Sequence, residues 1–405
     1  MASRSAYPIA SVTDDPISGL TMHFIPRYAP QSPAGRSARK DAALHVAGLL
    51  ACAPGATLVP VGAGRVGIRL LFEALARGDN RRTVVMSAQA CPIVPRVVLA
   101  CGFTPFFADV DPAVASPGAR ELTMAYEAAG GRDRVAAVIA SPIYGYAPPG
   151  IGDLKHALGQ NVKLLADFAQ GALIDGEGAS LVAAADAAIF SFGVGKGADT
   201  GGGLLAVRDI PISGLPPAQE LAGSVALVRL LRTVETLGLC RWLTPYLDRQ
   251  GDKDARPDAA EFKTEILTED AFNVLAPALD RFRSDVARAR QRAQILFENR
   301  ILRNVCRDVD VYASSQFTHL RQILRLRDPG RRAPVLARLR AAGIDALPAG
   351  EKLPSRYLAA TQYETCGDWY NARQFLADAI RLPFLARLND RAFDHLLKTL
   401  EDALG

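Results

Sequence analysis

The stretch ADAAIFSFGVGKGADTGGG (185–203) reads as an apolar strand ending at Phe192, followed by a glycine-rich turn that exposes Lys196. It is close to a nucleotide-binding P-loop but fails its pattern. Position 190 would need glycine and holds Phe190, and the residue after the lysine would need a hydroxyl and is Gly197. ATP and GTP are therefore poor candidates. A lysine on a tight turn at the end of an apolar strand differs from one on a helix face. Desolvation and nearby cations depress its pKa, leaving more of the amine neutral and able to attack an aldehyde.

Upstream, VKLLADFAQGA (162–172) runs four mainly apolar residues into Asp167, at the carboxyl end of a buried strand, where ligand crevices of open α/β sheets lie. Taken alone, Asp167 could equally be a turn or helix-capping residue. Further upstream, VPVGAGRVGIRLLFEAL (59–75) ends a strand at Val61 and opens a helix near Gly64, a place for an anion on free amides and the helix dipole. Gly62, Gly64 and Gly67 also satisfy a dinucleotide fingerprint. That fingerprint asks for an acid at the end of the next strand, and TVVMSAQA (83–90) has none. A phosphate of some other ligand, or a purely structural glycine turn, remain for this loop. Arg65 could fork onto the phosphate or be a solvated helix residue.

Around these motifs strands and helices alternate, the signature of a mainly parallel sheet covered by helices. Strands are expected at Thr57–Val61, Thr83–Ser87, Pro105–Asp109, Val135–Ser141, Lys163–Asp167, Ala187–Phe192 and Leu204–Val207. Helices are expected at Val66–Ala76 and Pro95–Cys101, as long helical material over Ala218–Arg249, and over Asp270–Leu302, with the polar stretch Gly251–Asp258 as a hinge. The last hundred residues carry a strand-like run, His319–Leu326, a helix over Ala333–Ala342, and helices near Asn371 and Asp390. They read as a small α+β domain. At 405 residues the chain exceeds one ordinary core, since domains average about 150 residues. The simplest division is a large domain, 1–260, and a small one, 261–405.

With 49% apolar and 22% charged residues the composition is that of a globular protein with a sizeable core. The net charge of +5 is small and the arginines are dispersed, which argues against a nucleic-acid partner while suiting an anionic small molecule. The six cysteines show no ligand spacing, and the five histidines none at i, i+3 or i, i+4, so no metal is expected. The cysteines read as reduced and mostly packed. The N-terminal segment lacks a leader pattern, and no apolar run reaches membrane-helix length, so neither a leader nor a membrane span is expected and a cytoplasmic location follows by default.

Asp167-Phe168-Ala169-Gln170, then Ser191-Phe192-Gly193-Val194-Gly195-Lys196 and Gly201-Gly202-Gly203, resemble the DegT/StrS family of sugar aminotransferases, pyridoxal-5′-phosphate (PLP) enzymes of fold type I. GFTPFFADVDP (102–112), SPIYGYAPPGI (141–151), LRAAGIDALPAG (339–350), NARQFLADAIRLPF (371–384) and the helix introduced by Leu388-Asn389-Asp390 extend the resemblance over most of the chain. It implies an α/β fold whose large domain holds a mainly parallel seven-stranded sheet. It also implies that Lys196 carries the cofactor as a Schiff base and that Asp167 pairs with the pyridine nitrogen. Gln170 would contact the ring's phenolate side, and Ser191 with the amides of Gly64 and Arg65 would hold the phosphate. A homodimer is implied, and a reaction moving an amino group from glutamate or glutamine to a keto-sugar, nucleotide-linked. Lysine at 196 argues against the dehydratase branch, where histidine stands. A non-sugar ketone as acceptor, and a regulator with the same fold, are the alternatives.

The chain also departs from the family. Ala63-Gly64-Arg65 stands where Ser-Gly-Thr is usual, and Cys91 where an aromatic stacks on the ring. The stretch 210–261 is longer than usual, and the phosphate-reaching Asn-x-Arg pattern is not visible around Phe262–Leu267.

Overall fold

The computed structural model describes residues 36–148, 150–193, 195–213, 215–219, 265–350 and 352–405. Its core is one sheet in the order β13-β3-β2-β4-β5-β6-β7-β1-β9-β8. The strands are β1 (Thr57–Val61), β2 (Thr83–Ser87), β3 (Thr104–Ala108), β4 (Val135–Ala140), β5 (Lys163–Phe168), β6 (Ala187–Ser191), β7 (Gly203–Val207), β8 (Ala218–Gln219), β9 (Ile266–Leu267) and β13 (Glu364–Thr365). The seven expected strands are thus the contiguous middle of a ten-stranded sheet. β3 to β6 run parallel, and β7 is antiparallel to both β6 and β1.

Helices cover both faces, so the central strands are buried throughout and read as continuous apolar runs. One face carries Val61, Ile139, Leu165, Ile189 and Leu205 under helices α2 (Gly64–Gly78) and α3 (Ile93–Ala100). The other carries Val138, Leu164, Phe168, Phe190 and Leu204, packed against the long helix Ala271–Glu298. Because side chains alternate along a strand, Ser141, Asp167 and Ser191 follow Ile139, Leu165 and Ile189 onto the α2 face.

A second sheet, β10-β11-β14-β12, is made by Cys306–Arg307, Ile323–Leu326, Ala379–Arg381 and Leu347–Pro348. The C-terminal part of the chain also returns two short strands, β9 and β13, to the large sheet.

Three expectations are corrected. Ala218 and Gln219 do not begin a helix; they pair with Ile266 and Leu267. The rest of Ala218–Arg249, from 220 on, and Gly251–Asp258 lie outside the described residues. The single helix expected over Asp270–Leu302 is two, Ala271–Glu298 and Arg300–Val305. They break at Asn299, whose extended backbone (ψ 121°) lets its side chain cap the second helix at Ile301 and Leu302. The strand expected over His319–Leu326 begins only at Ile323; His319 has a positive φ (50°), which no ladder accommodates.

Candidate active site

Asp167 sits at the carboxyl end of β5, 7% exposed, beside Ile189 on β6. Its Oδ1 accepts from the Ala169 amide at 3.1 Å. Burial pushes its carboxyl above the ordinary range; the Ala169 amide, the Lys196 ammonium and the Ser141 hydroxyl pull it back. The acid and the lysine are 29 positions apart in sequence (196 minus 167), yet they lie at the ends of adjacent strands, on β5 and on the loop after β6.

The loop that brings Lys196 there is closed by its own backbone. Phe192 and Gly201–Gly202 exchange two hydrogen bonds (3.0 and 2.8 Å), and the Lys196 amide donates to Gly193 O at 3.0 Å. Gly195 and Gly197 have φ of +77° and +94°, a region costly for residues with a Cβ. Gly197 is further constrained by contact, since a Cβ there would fall 2.2 Å from the Phe282 ring. Asp199 accepts from the Gly195 amide at 2.7 Å and is paired with Arg387, which also donates to Gly197 O at 3.1 Å. The turn that presents the lysine is thus clamped from the C-terminal part of the chain.

On the same face α2 begins at Gly64. Its N-cap, Ala63, offers no side-chain cap, and its first turn holds no acid. The helix N-terminus therefore keeps its attraction for an anion. A Cβ at Gly64 would lie 3.2 Å from Ser191 Cβ, so glycine lets the helix start come up against the serine. Arg65 is exposed at this end, while Ala63 and Cys91 pack against the apolar cluster beneath. Gln170 Oε1 accepts from the Tyr144 amide at 3.2 Å. Tyr144, held at φ 58°, receives the Gly350 amide on its hydroxyl at 3.0 Å.

The geometry brings Ser191 against Gly64 and sets Asp167 on the same face of the neighbouring strand, with the Lys196 turn following Ser191; Ala63 and Cys91 pack on the apolar cluster of that face, and Gln170 is engaged with Tyr144. Residue-level reading missed Ser141, Tyr144, Asp199 and Arg387. Ser141 and Tyr144 lie in a stretch already singled out, but no spacing ties Arg387 to this loop. Among the described residues no three His, Cys, Asp or Glu groups converge on a metal position. His45 bonds Asp280 and His319 is buried and satisfied. Cys52 and Cys306 are packed, their thiols pushed up to about 12 by burial, whereas Cys366 is exposed and Cys240 lies outside the described residues.

The donor set suits PLP: a buried carboxylate for the pyridine nitrogen, an amine for the aldehyde, and a hydroxyl at an uncapped helix start for the phosphate. With the strand order β3-β2-β4-β5-β6-β7-β1, the fold is that of the fold type I PLP-dependent transferases. Residues 56–212 match the DegT/DnrJ/EryC1/StrS aminotransferase family model. This stretch contains Asp167, Lys196, Ser191 and Gly64.

Solved structures agree in fold. The aminotransferase TlmJ from Streptoalloteichus hindustanus is 21% identical with TM-score 0.62, covering 90% of this chain and 89% of that one. PseC of Helicobacter pylori, an aminotransferase of pseudoaminic acid biosynthesis, is 14% identical with TM-score 0.62, covering 92% of both chains. DesI, solved with its TDP-sugar product, is 19% identical with TM-score 0.61, covering 92% and 86%. No curated protein sequence matches the chain. No helix among the described residues is long and apolar enough to cross a membrane.

Proposed function

We propose that the protein is a PLP-dependent aminotransferase that moves an amino group from glutamate or glutamine to a keto-sugar, nucleotide-linked, and that it acts as a homodimer of chains divided near residue 260. One observation carries the reading: a buried carboxylate ends β5, and the neighbouring strand β6 leads into the glycine turn that holds Lys196, whose charge bears on that carboxylate. The sugar acceptor is supported by the neighbours PseC and DesI, described respectively as acting in pseudoaminic acid biosynthesis and as bound to a TDP-sugar product.

PLP, when bound, supplies an aldehyde for amines and a ring that takes up the electron pair left when a Cα–H bond ionises. Lys196 Nζ is the amine that holds it. Asp167 keeps a proton on the pyridine nitrogen; alone in its pocket the carboxylate resists ionisation, and a ring cation beside it removes that penalty. Ser191 and the Gly64 and Arg65 amides would hold the phosphate, and Gln170 and Cys91 would stand beside the ring. Lys196 Nζ, when free, would be the base that takes and returns the substrate proton.

The test is direct. Purified protein incubated with PLP should absorb in the visible, and borohydride should fix the cofactor's mass on the peptide containing Lys196; in K196A both signals should vanish. Glutamate and glutamine, then a panel of keto-sugar nucleotides, identify donor and acceptor. A protein that takes up no PLP would refute the proposal.

A further inference from the structure

The backbone on both sides of Lys196 is gripped by one ion pair. On the N-terminal side the Gly195 amide donates to Asp199 Oδ1 at 2.7 Å, and on the C-terminal side the Gly197 carbonyl accepts from Arg387 Nη2 at 3.1 Å. The same Nη2 is paired with the other oxygen of Asp199. The Asp199 side chain is 1% exposed, so its charge is balanced by Arg387 and not by water. Lys196 thus stands between two glycines whose polar groups are held by partners that touch one another.

This turn needs such a hold more than most. Gly195, Gly197, Gly201 and Gly202 have φ between 71° and 94°, and Asp199 itself is kept at φ 50°. Glycines leave many backbone states open, and an aspartate in the left-handed region adds strain that its surroundings must offset. The long lysine stem carries any rotation of the turn out to the amine. Arg387, in contrast, has a fixed base. It closes the short helix Leu385–Arg387, and the long helix Ala271–Glu298 binds the carbonyls around it: Arg292 donates to Leu385 O at 2.8 Å and to Leu388 O at 2.5 Å, and Arg288 to Ala386 O at 3.5 Å. Its guanidinium stands 5.6 Å from the centre of the Phe384 ring, which lies 5.9 Å from Phe282, the ring against Gly197. The pair therefore anchors the turn to the long helix.

We infer that Asp199 and Arg387 are positioning residues for Lys196: by fixing Gly195 and Gly197 they aim Nζ and so set how readily the amine captures an aldehyde carbon, while taking no part in holding the rest of the cofactor. The inference rests on the PLP reading for the role of Lys196. Capture replaces the aldehyde C=O by C=N and releases one water, and transamination requires the amine to be released and to capture again in each cycle. On a held turn the freed amine stays within reach of the carbon it must rejoin; on a loose one that proximity is lost.

The experiment uses the full chain with D199N, R387Q, R387K and the double variant D199N/R387Q. D199N keeps an oxygen for the Gly195 amide and a residue that tolerates positive φ, and removes the charge that holds Arg387. Two probes are compared. Capture of PLP is read from the growth of the visible band and from the borohydride-fixed mass on the Lys196 peptide. Pyridoxine 5′-phosphate, which keeps ring and phosphate but has an alcohol in place of the aldehyde, is titrated by calorimetry. D199N and R387Q should slow capture about ten- to a hundredfold, R387K should recover part of the rate, and the double variant should be no slower than R387Q. All four should bind pyridoxine 5′-phosphate as wild type does. Capture at the wild-type rate in D199N and R387Q overturns the inference, and so does an equal loss of both probes, the mark of general damage to the site. If R387Q does not fold, D199N and R387K decide by the same criteria. A wild type that captures no PLP refutes the PLP reading by itself. The hold is then decided on the unloaded protein by hydrogen exchange of the peptide carrying the Gly195 amide: exchange at least about tenfold faster in R387Q supports it, and equal exchange refutes it.

Discussion

Gly197 can be tested as the hinge on which the lysine turn depends. In G197A the new Cβ must adopt φ +94° and enter the Phe282 ring, 2.2 Å away. The left-handed backbone costs about 1–2 kcal/mol, and forcing a methyl into a packed ring costs about 1–3 kcal/mol more. The sum is about 2–5 kcal/mol, a large share of a typical folding stability. Shrinking the ring separates the parts. In an F282L background G197A should cost only the backbone share of about 1–2 kcal/mol, so the cycle should show a coupling of about 1–3 kcal/mol. Urea denaturation midpoints of the four cofactor-free proteins measure it. Equal costs of G197A in both backgrounds would mean that the ring is not what the glycine accommodates.

Asp167 gives a pH test with a defined sign. Burial raises its carboxyl, so its ionisation opposes folding. Its favourable contribution is complete below the unfolded value, about pH 4, and is lost as pH rises through the raised native value. Without cofactor, D167N should therefore melt higher than wild type by a margin that widens from pH 4 toward neutrality; a constant margin would contradict the burial argument. With PLP added the order should reverse, D167N losing the cofactor on gel filtration while wild type retains it. G64A places a Cβ 3.2 Å from Ser191 Cβ, at the helix start. It should raise the Kd for PLP about tenfold, equal to roughly 1.4 kcal/mol, in a fluorescence titration. An unchanged Kd would remove this helix start from the phosphate site.

The middle of the sheet was legible because strands buried on both faces must be apolar throughout, as Val135–Ala140 and Ala187–Ser191 are. Asp167 and Lys196 stood out as polar residues where such runs end. β13 was not legible: Glu364 and Thr365 are a two-residue polar strand whose pairing is set by β3 and by Arg134, not by local pattern. The break at Asn299 did have a signal, an N-cap residue inside an apolar periodicity, which the periodicity masked.

β13 has a further consequence. Glu364 and Thr365 cover the outer side of β3, and the Glu364 carboxylate is held by Arg134 at 2.8 Å. A broad sheet with long bare rims would recruit other chains by backbone pairing, whereas at this margin a strand of two residues, one bearing a charge, gives an incoming chain little to zip onto.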